Sequence, residues 1–185
     1  MASTFLGRLE LGRRFSLSVL SRALSVALLF LASLPLWASG ICQAKETCPW
    51  LNEATAAGFL SGSVTSTVTH PYKNKDDADC EFIHRDGATV TALQIEVETM
   101  SDITAQFPSY LGKCAANPTP LKAIGNLAVA CAVDEKKGRY SELIVGRVRE
   151  RAFVVRINSN ADESTRENFH ERVKQVAEQV AGFLF

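Results

Sequence analysis

An uncharged apolar run at residues 23–37 divides this chain into two unequal parts. Positive side chains followed by a short apolar run are typical of a secretory signal peptide, and this run is shorter than the roughly 20 residues that span a bilayer as a helix. The sequence therefore predicts a signal peptide at residues 1–44 and a single exported domain at residues 45–185, with no stable membrane span after cleavage. Four arginines supply the positive charge before the run: Arg8, Arg13, Arg14 and Arg22.

The cleavage site and the export route leave alternatives. Cleavage after Ala44 places Cys42 at the −3 position, and cleavage after Gly40 also satisfies the small-residue rule. We expect the first site, because the second would leave Cys42 as an odd thiol in the exported domain. The pair Arg13–Arg14 resembles a twin-arginine signal. Ile41, before Cys42, departs from the small residue that a lipoprotein signal requires.

The charge balance of the exported part excludes two classes of partner. The whole chain has 20 basic and 20 acidic residues, of which the signal takes four arginines and Glu10, so the rest carries a net charge of about −3. A domain of this charge offers no basic footprint for nucleic acid and no polybasic membrane patch. Its length of about 140 residues suits one domain with a sizeable core.

Four cysteines remain in the exported part, and in an oxidising compartment an even set is typical of disulfides. Three pairings are open. We favour Cys48 with Cys80 and Cys114 with Cys131, because pairing in sequence order ties each cysteine to a neighbouring element. The compartment implied is the periplasm or the extracellular space.

Alternating apolar and polar residues predict about six strands. Asp86–Gly87 lies between two of them, and an Asp-Gly pair is a strong hairpin signal because both turn positions need positive φ. In the strand after this turn, every second residue from Thr91 to Val97 lies on one face, and every second residue from Ala92 to Glu98 lies on the other. The first face is mainly apolar and the second mainly polar, so we expect this strand to be half buried. Residues 115–120 are predicted as a loop. The predicted strands are residues 63–70, 80–85, 91–98, 127–133, 140–148 and 152–157.

Two helices are predicted before the last strands. Thr47 is expected to cap an N-terminal helix at residues 48–57. Ser101 or Thr99 is expected to cap a middle helix, which Pro108 must kink or divide because proline removes a backbone donor.

The C-terminal segment has the clearest helical periodicity in the chain. Ser164 and Glu167 form a capping box before it. The element order therefore predicts an α+β fold, in which an N-terminal, a middle and a C-terminal helix pack on an antiparallel sheet of about six strands. The apolar stripe of the last helix is Phe169, Val173, Val176 and Val180.

The chain shows no recognisable catalytic, metal or cofactor motif. His70, His84 and His170 share no spacing, and Cys80 with His84 supplies one of the two close ligand pairs that structural zinc sites usually show. The segment around Ser61 lacks the spacing of a serine nucleophile motif and is expected to be a helix-to-strand turn. The sequence therefore predicts no catalytic residue, no metal and no cofactor.

Arginines recur at every second position around Glu150, and in a strand this spacing would place them on one side. With two others they form a candidate site for an anion or an acidic partner. The alternative is a solvated sheet face with Glu142 and Glu150 interleaved. The five candidates are Arg139, Arg147, Arg149, Arg151 and Arg156.

Short motifs spread over the exported part carry a resemblance to a known family. They are Cys48 with Leu51, then Ala56, Gly58 and Leu60, Cys80-Glu81-Phe82, Ile124-Gly125 with Ala128, and the terminal amphipathic helix. This pattern is similar to the PsbP-like α/β/α sandwich of small exported bacterial domains. The resemblance implies an antiparallel sheet between helices, a disulfide between the first and second cysteines, and no known enzymatic activity. Cys114 and Cys131 are not part of the pattern.

These observations favour a non-enzymatic binding or interaction module of the cell envelope, whose partner is a small ligand or an unidentified envelope protein. Two alternatives stay open. One is an extracytoplasmic hydrolase with dispersed catalytic residues, which a histidine within about 3.2 Å of a carboxylate and a nucleophile would favour. The other is an inhibitor of a secreted enzyme that uses the loop at residues 72–79.

Overall fold

The computed structural model describes residues 46–114, 117–135, 139–161 and 168–185. One antiparallel sheet runs through these residues. Its seven strands lie in the order β1-β2-β3-β7-β6-β5-β4, so β1 and β4 are the two edges. Every neighbouring pair is antiparallel. The strands are β1 (Val64–Thr69), β2 (Ala78–Asp86), β3 (Thr89–Thr99), β4 (Thr119–Leu121), β5 (Leu127–Glu135), β6 (Arg139–Val148) and β7 (Arg151–Ser159).

Three α-helices of the described residues pack on this sheet, so the α+β class is confirmed. They are α1 (Glu53–Leu60), α2 (Ile103–Leu111) and α3 (Phe169–Leu184), and a 3₁₀ helix at Gly112–Cys114 follows α2. The described residues form seven strands, against an expected number of about six. Part of the predicted loop at residues 115–120 is instead the edge strand β4, where Pro120 lies opposite Val129 of β5.

The face of the sheet under α1 and α3, which we call the covered face, holds the main core. On β3 the side chains of Leu93, Ile95 and Val97 are fully buried here, as the alternation predicted. The predicted apolar stripe of α3 is also buried, so this helix packs against the sheet with one side. The capping box at Ser164 and Glu167 and the signal peptide at residues 1–44 lie outside the described residues.

The opposite face, which we call the open face, is covered in part by the described helices. Helix α2 packs on one end of it, where Phe107 and Tyr110 contact a smaller core that includes Val145 and Val154. Beyond α2, strands β2 and β3 turn half-buried and exposed side chains to this face. The residues that the structure describes thus leave part of the sheet accessible.

Two disulfides join these elements. Cys48–Cys80 fastens the segment before α1 to β2, and Cys114–Cys131 fastens the 3₁₀ helix to β5. These are the pairs that the order of the cysteines favoured. Their sequence separations of 32 and 17 residues correspond to about 4 and about 3 kcal/mol in the loop-entropy model.

The first helix begins later than predicted. Asn52, not Thr47, is its N-cap, and its side-chain oxygen accepts a hydrogen bond from the Thr55 N–H at 2.8 Å. The preceding residues are held differently, because the Cys48 disulfide and the burial of Leu51 fix them against the sheet as an anchor. Tertiary contacts thus overrode the local helix signal.

The middle helix also differs from its prediction. Asp102 is its N-cap, rather than Ser101 or Thr99, and accepts a hydrogen bond from the Ala105 N–H at 3.1 Å. The helix continues through Pro108 without being divided. Its packing on the open face compensates for the backbone hydrogen bond that proline cannot donate.

The predicted hairpin between β2 and β3 is present, with a shifted turn. Asp86 pairs with Thr89, so the two turn residues are Gly87 and Ala88. Gly87 has φ +56°, and Ala88 has no positive φ, as in a type II′ turn with glycine at its first position. The register set by this turn decides which side chains of both strands reach the open face.

Candidate functional site

A groove of about 370 Å³ lies on the open face, across β2, β3, β7 and β6. Antiparallel register places Ile83 beside Ala92, and Ala92 beside Asn158, so three neighbouring strands contribute to its floor. The groove combines apolar, amide and cationic groups. Its lining residues are Glu81, Ile83, Arg85, Val90, Ala92, Gln94, Arg139, Asn158, Ser159 and Asn160.

A row of hydrogen bonds crosses the four strands at this place. Gln94 Nε2 donates to Glu81 Oε1 at 2.9 Å, and Asn158 Nδ2 donates to Gln94 Oε1 at 3.2 Å. Ser141 Oγ donates in turn to Asn158 Oδ1. Because each amide is used on both sides, the polar floor of the groove is rigid before any ligand binds.

Arginines border one end of the groove. Arg85 and Arg139 are exposed at its rim, and the half-buried Arg156 lies two rows further along the open face, opposite Gln94 and Leu143 and just outside the lining. None of the three forms a salt bridge with a carboxylate whose side chain the structure describes. This arginine end therefore has cationic groups available for an anion.

The acidic residues toward α2, in contrast, already have protein donors. Each carboxylate there accepts a hydrogen bond or an ion pair from a neighbouring tyrosine or lysine, so the charge at this end is partly satisfied within the protein. The pairs are Tyr72 with Asp79, Tyr110 with Glu98, and Lys113 with Glu96.

The pKa values at this acidic end follow from burial. Desolvation raises the pKa of Asp79, and the hydrogen bond from Tyr72 partly opposes that change. Desolvation, and then the hydrogen bond to a carboxylate, raises the pKa of Tyr72 and of Tyr110. Both phenols therefore keep their protons and remain hydrogen-bond donors at neutral pH.

The predicted row of arginines is not found as one row. Arg147 is opposite Ala152 on the open face, whereas Arg151 is opposite the buried Val148 and belongs to the covered face. Arg149 lies between them in the β6–β7 turn with φ +54°. Spacing by two places residues on one side only within a continuous strand, and this turn interrupts it.

Arg139 and Arg156 do share the open face with Arg147, but at different positions along it. Arg139 begins β6 and Arg147 is eight residues further on, roughly 27 Å along the strand. The guanidinium of Arg147 lies 5.9 Å from the ring centroid of Phe107 on α2. The structure thus brings Arg139 to a groove that it shares with Arg85, a residue that the sequence pattern did not single out.

Two of the histidines bond mainly to backbone or surface groups. His70 lies after β1, where its Nδ1 donates to the Asp77 carbonyl at 2.8 Å and its Nε2 donates to Glu46 at 2.6 Å. His84 donates from Nδ1 to the Ser63 carbonyl at 2.8 Å. In the described part of the chain, no group of three potential ligands is placed to hold a metal.

The third histidine meets a buried carboxylate. His170 Nδ1 donates to Glu142 Oε1 at 2.8 Å, and the Tyr140 hydroxyl donates to the other oxygen of Glu142 at 2.6 Å. The hydrolase alternative also requires a nucleophile bonded to the histidine ring. Among the described residues, no hydroxyl or thiol is hydrogen-bonded to His170. Ser61 is the left-handed C-cap of α1, as expected for a turn.

The loop at residues 72–79 is fastened to the sheet more firmly than its polar sequence suggested. Asp77 is 1 % exposed and accepts hydrogen bonds from the Thr99 N–H at 2.7 Å and the Thr99 hydroxyl at 2.8 Å. Asn74 also donates to the Thr99 oxygen at 3.0 Å. Lys73 and Lys75, on either side of Asn74, are exposed. An inhibitory role for this loop stays a prediction.

Sequence patterns missed most of the groove. The alternation in β3 predicted a wet face that includes Gln94, but nothing marked Glu81, Arg85 or Asn158 as its neighbours. Strand β7 lies beside β3 although some fifty residues separate them, so the pairing of Asn158 with Ala92 depends on sheet topology. Local spacing contains no signal for such a contact.

Compared with known proteins, the chain matches no protein-family model, no curated protein and no solved structure. The resemblance to the PsbP-like sandwich therefore stays a prediction. Among the described residues, no helix has both the length and the apolar character needed to cross a membrane.

Proposed function

We propose that this chain is an exported, non-enzymatic binding module, periplasmic or extracellular, which binds a small anionic ligand at the arginine end of the groove. The observation that carries the proposal is the imbalance along the open face. Carboxylates toward α2 have tyrosine or lysine donors, while Arg85, Arg139 and Arg156 have no carboxylate partner among the described side chains.

The groove also has the size and composition of a small-molecule site. Its volume of about 370 Å³ lies in the range of roughly 300–1,000 Å³ that is usual for ligand pockets. Guanidinium groups suit carboxylate and phosphate, because their planar donors match two oxygens at once. Ile83, Val90 and Ala92 add an apolar surface, so the ligand class is a carboxylate or phosphate ester with an apolar portion.

Binding of simple amphiphilic anions tests this proposal. The probes are octanoate and octyl phosphate, with octylamine as the cationic comparison, measured by calorimetry and by amide NMR shifts. The anions are expected to bind and the amine is not. The double variant Arg85→Gln/Arg139→Gln should lose about tenfold or more in affinity, since each charged hydrogen bond contributes about 1.5–3 kcal/mol.

Arg149→Gln is the matched control, because Arg149 is also exposed but lies in the β6–β7 turn, outside the groove. Its affinity for the anions should equal that of the natural protein. Equal affinity in the double variant, or equal binding of octylamine, would exclude the anion site.

Export has its own support and its own test. The two disulfides are typical of oxidising compartments, which agrees with the predicted signal peptide. Mass spectrometry of the native protein should find Lys45 at the N-terminus and no free thiol. An intact N-terminus on a protein with reduced cysteines would exclude this part of the proposal.

A further inference from the structure

The two edges of the sheet differ in how they are protected. The edge strand β4 has three residues and contains Pro120, which cannot donate a main-chain hydrogen bond. The edge strand β1 has six residues, VTSTVT, with neither charge nor proline, and it pairs with β2 in one continuous register from Val64 to Thr69. Edge strands usually carry charges, prolines or bulges that prevent pairing with other chains. Strand β1 lacks all three.

The outer side of β1 is suited to pair with another strand. About half of the main-chain N–H and C=O groups of an edge strand point away from its sheet. Thr65, Thr67 and Thr69 are exposed, and the residues between them are half-buried on the side of α1. All six residues are β-branched or serine, which favours extended backbone. An added strand would therefore find a preformed template.

An acidic cleft adjoins this edge on the open face. Its volume is about 250 Å³, and Thr67 and Thr69 form its β1 side. Glu81 lies in it and bonds to the neutral amide of Gln94, and no described side chain forms a salt bridge with Glu81. The complete lining is Thr67, Thr69, Asp79, Cys80, Glu81, Gln94 and Glu96.

Distances across the sheet connect the edge with the cleft. Neighbouring strands lie about 4.8 Å apart, so an added strand would lie about 10 Å from β2. A lysine or arginine side chain leaning over the threonines of β1 spans that distance together with the Glu81 side chain. Every second residue of the added strand would face this side.

We propose that the outer edge of β1, which no described strand covers, binds an extended segment of a partner protein by strand addition, and that this segment carries lysine or arginine at alternate positions facing the acidic cleft. Strand addition combines main-chain hydrogen bonds for affinity with side-chain pockets for specificity. The cleft shares Glu81 and Gln94 with the groove but contains neither Arg85 nor Arg139, so either proposal can fail without the other.

Charge favours a basic segment over a second copy of this chain. The cleft beside β1 is lined by three acidic side chains. A two-fold pairing of two β1 strands would bring no basic side chain to them, because the sequence VTSTVT contains none.

Backbone methylation of a peptide tests strand addition directly. The probe is acetyl-Thr-Lys-Val-Lys-Val-Lys-Thr-amide, titrated into the protein with both disulfides formed and followed by amide NMR shifts. Two further versions carry N-methyl groups either on all lysines or on all valines. One version should lose at least about tenfold in affinity and the other should bind like the parent, because alternate N–H groups face β1.

The largest shifts are expected in β1. Absence of binding by the parent peptide, or equal binding of all three peptides, would overturn the proposal. A protein dimer in sedimentation velocity that the peptide dissociates would also overturn it, since the edge would then belong to a second copy.

Charge recognition is tested on both partners. A peptide with glutamate in place of each lysine should not bind. The variant Glu81→Gln should weaken the lysine peptide about threefold, as expected for a partly exposed ion pair. Glu178→Gln on the exposed side of α3 is the matched control and should leave affinity unchanged. Equal affinity in the natural protein and in Glu81→Gln would remove the cleft from the site.

Discussion

Asp77 shows how a single side chain can hold a polar loop in place. Its carboxylate is 1 % exposed and accepts both the N–H and the hydroxyl of Thr99, at the end of β3. Two hydrogen bonds to one charged group offset the cost of burying it. The loop that looks unstructured in sequence is therefore fastened to the end of β3.

Replacing Asp77 with alanine is expected to lower the free energy of unfolding by about 2–3 kcal/mol, because the Thr99 donors lose a charged acceptor. Urea denaturation measures the loss. Asp76→Ala is the control, since Asp76 is exposed, and it should stay within about 0.5 kcal/mol of the natural protein. Similar midpoints for both variants would contradict this role of Asp77.

His70 links the start of the described chain to the same loop. The hydrogen bond to the Asp77 carbonyl, and then the bond to Glu46, raises the pKa of His70 above its ordinary value. A histidine whose pKa rises on folding stabilises the fold below its unfolded-state pKa, and this contribution is lost as pH rises through the folded-state value.

In the variant Glu46→Gln, the pKa of His70 should fall part of the way toward its ordinary value. The larger cause, the Asp77 carbonyl, stays in place, so a remainder of the shift should persist. An NMR titration of the His70 ring protons measures both values. A pKa that does not change in this variant would show that the contact with Glu46 has no effect.

At the scale of elements, two glycines differ in whether a side chain would fit at their positions. Gly58 lies exposed in α1, and an added methyl group would meet no atom within 4 Å beyond its chain neighbours and the backbone of its own helix. Gly146 in β6 lies directly opposite Phe153, and an added methyl group would collide with that buried ring. The first glycine weakens its helix, and the second makes room for the core.

Gly58→Ala is therefore expected to raise the free energy of unfolding by about 0.5–1 kcal/mol, because alanine favours the helix and restricts the unfolded chain. Gly146→Ala should lower it by about 1–3 kcal/mol through overpacking. Thermal and urea unfolding of the pair measure the two effects. A shift in the same direction for both variants would contradict this account.

At the scale of the whole molecule, the two disulfides lie on opposite faces of one sheet, and each fastens a different segment to it. Cys48 and Cys80 belong to the core of the covered face, and Cys114 and Cys131 to the core under α2. Neither bond links the two layers directly. Each disulfide fastens its own helical element. Removal of either disulfide should therefore destabilise the domain but leave the helices on the same faces of the sheet.

Replacing both cysteines of one pair with alanine is expected to cost about 2–4 kcal/mol. The loss should be larger for Cys48–Cys80 by about 0.5 kcal/mol, because its separation of 32 residues exceeds the 17 of the other pair. Urea midpoints of the two double variants give the order. A larger loss for Cys114–Cys131 would show that strain or packing outweighs loop entropy here.

Elements with strong internal periodicity were predictable from the sequence. The face of β3 that carries Leu93, the buried stripe of α3 from Phe169 to Val180 and the hairpin at Gly87 all follow from patterns within a few residues. Such patterns report local geometry, since side-chain direction repeats every 2 or about 3.6 residues. Helix starts were less predictable, because anchoring of Cys48 to β2 displaced α1.

The sequence by itself determined the α+β class, the order of most elements, the favoured cysteine pairs and which face of β3 is polar. Tertiary structure alone decided that β7 lies beside β3, that a turn sends Arg147 and Arg151 to opposite faces, and that Arg85 and Arg139 border one groove. The physical reason is the distance along the chain over which each signal acts. Local periodicity sets the direction of a side chain, whereas its neighbours across a sheet depend on strand order and register, which arise only when the whole core packs.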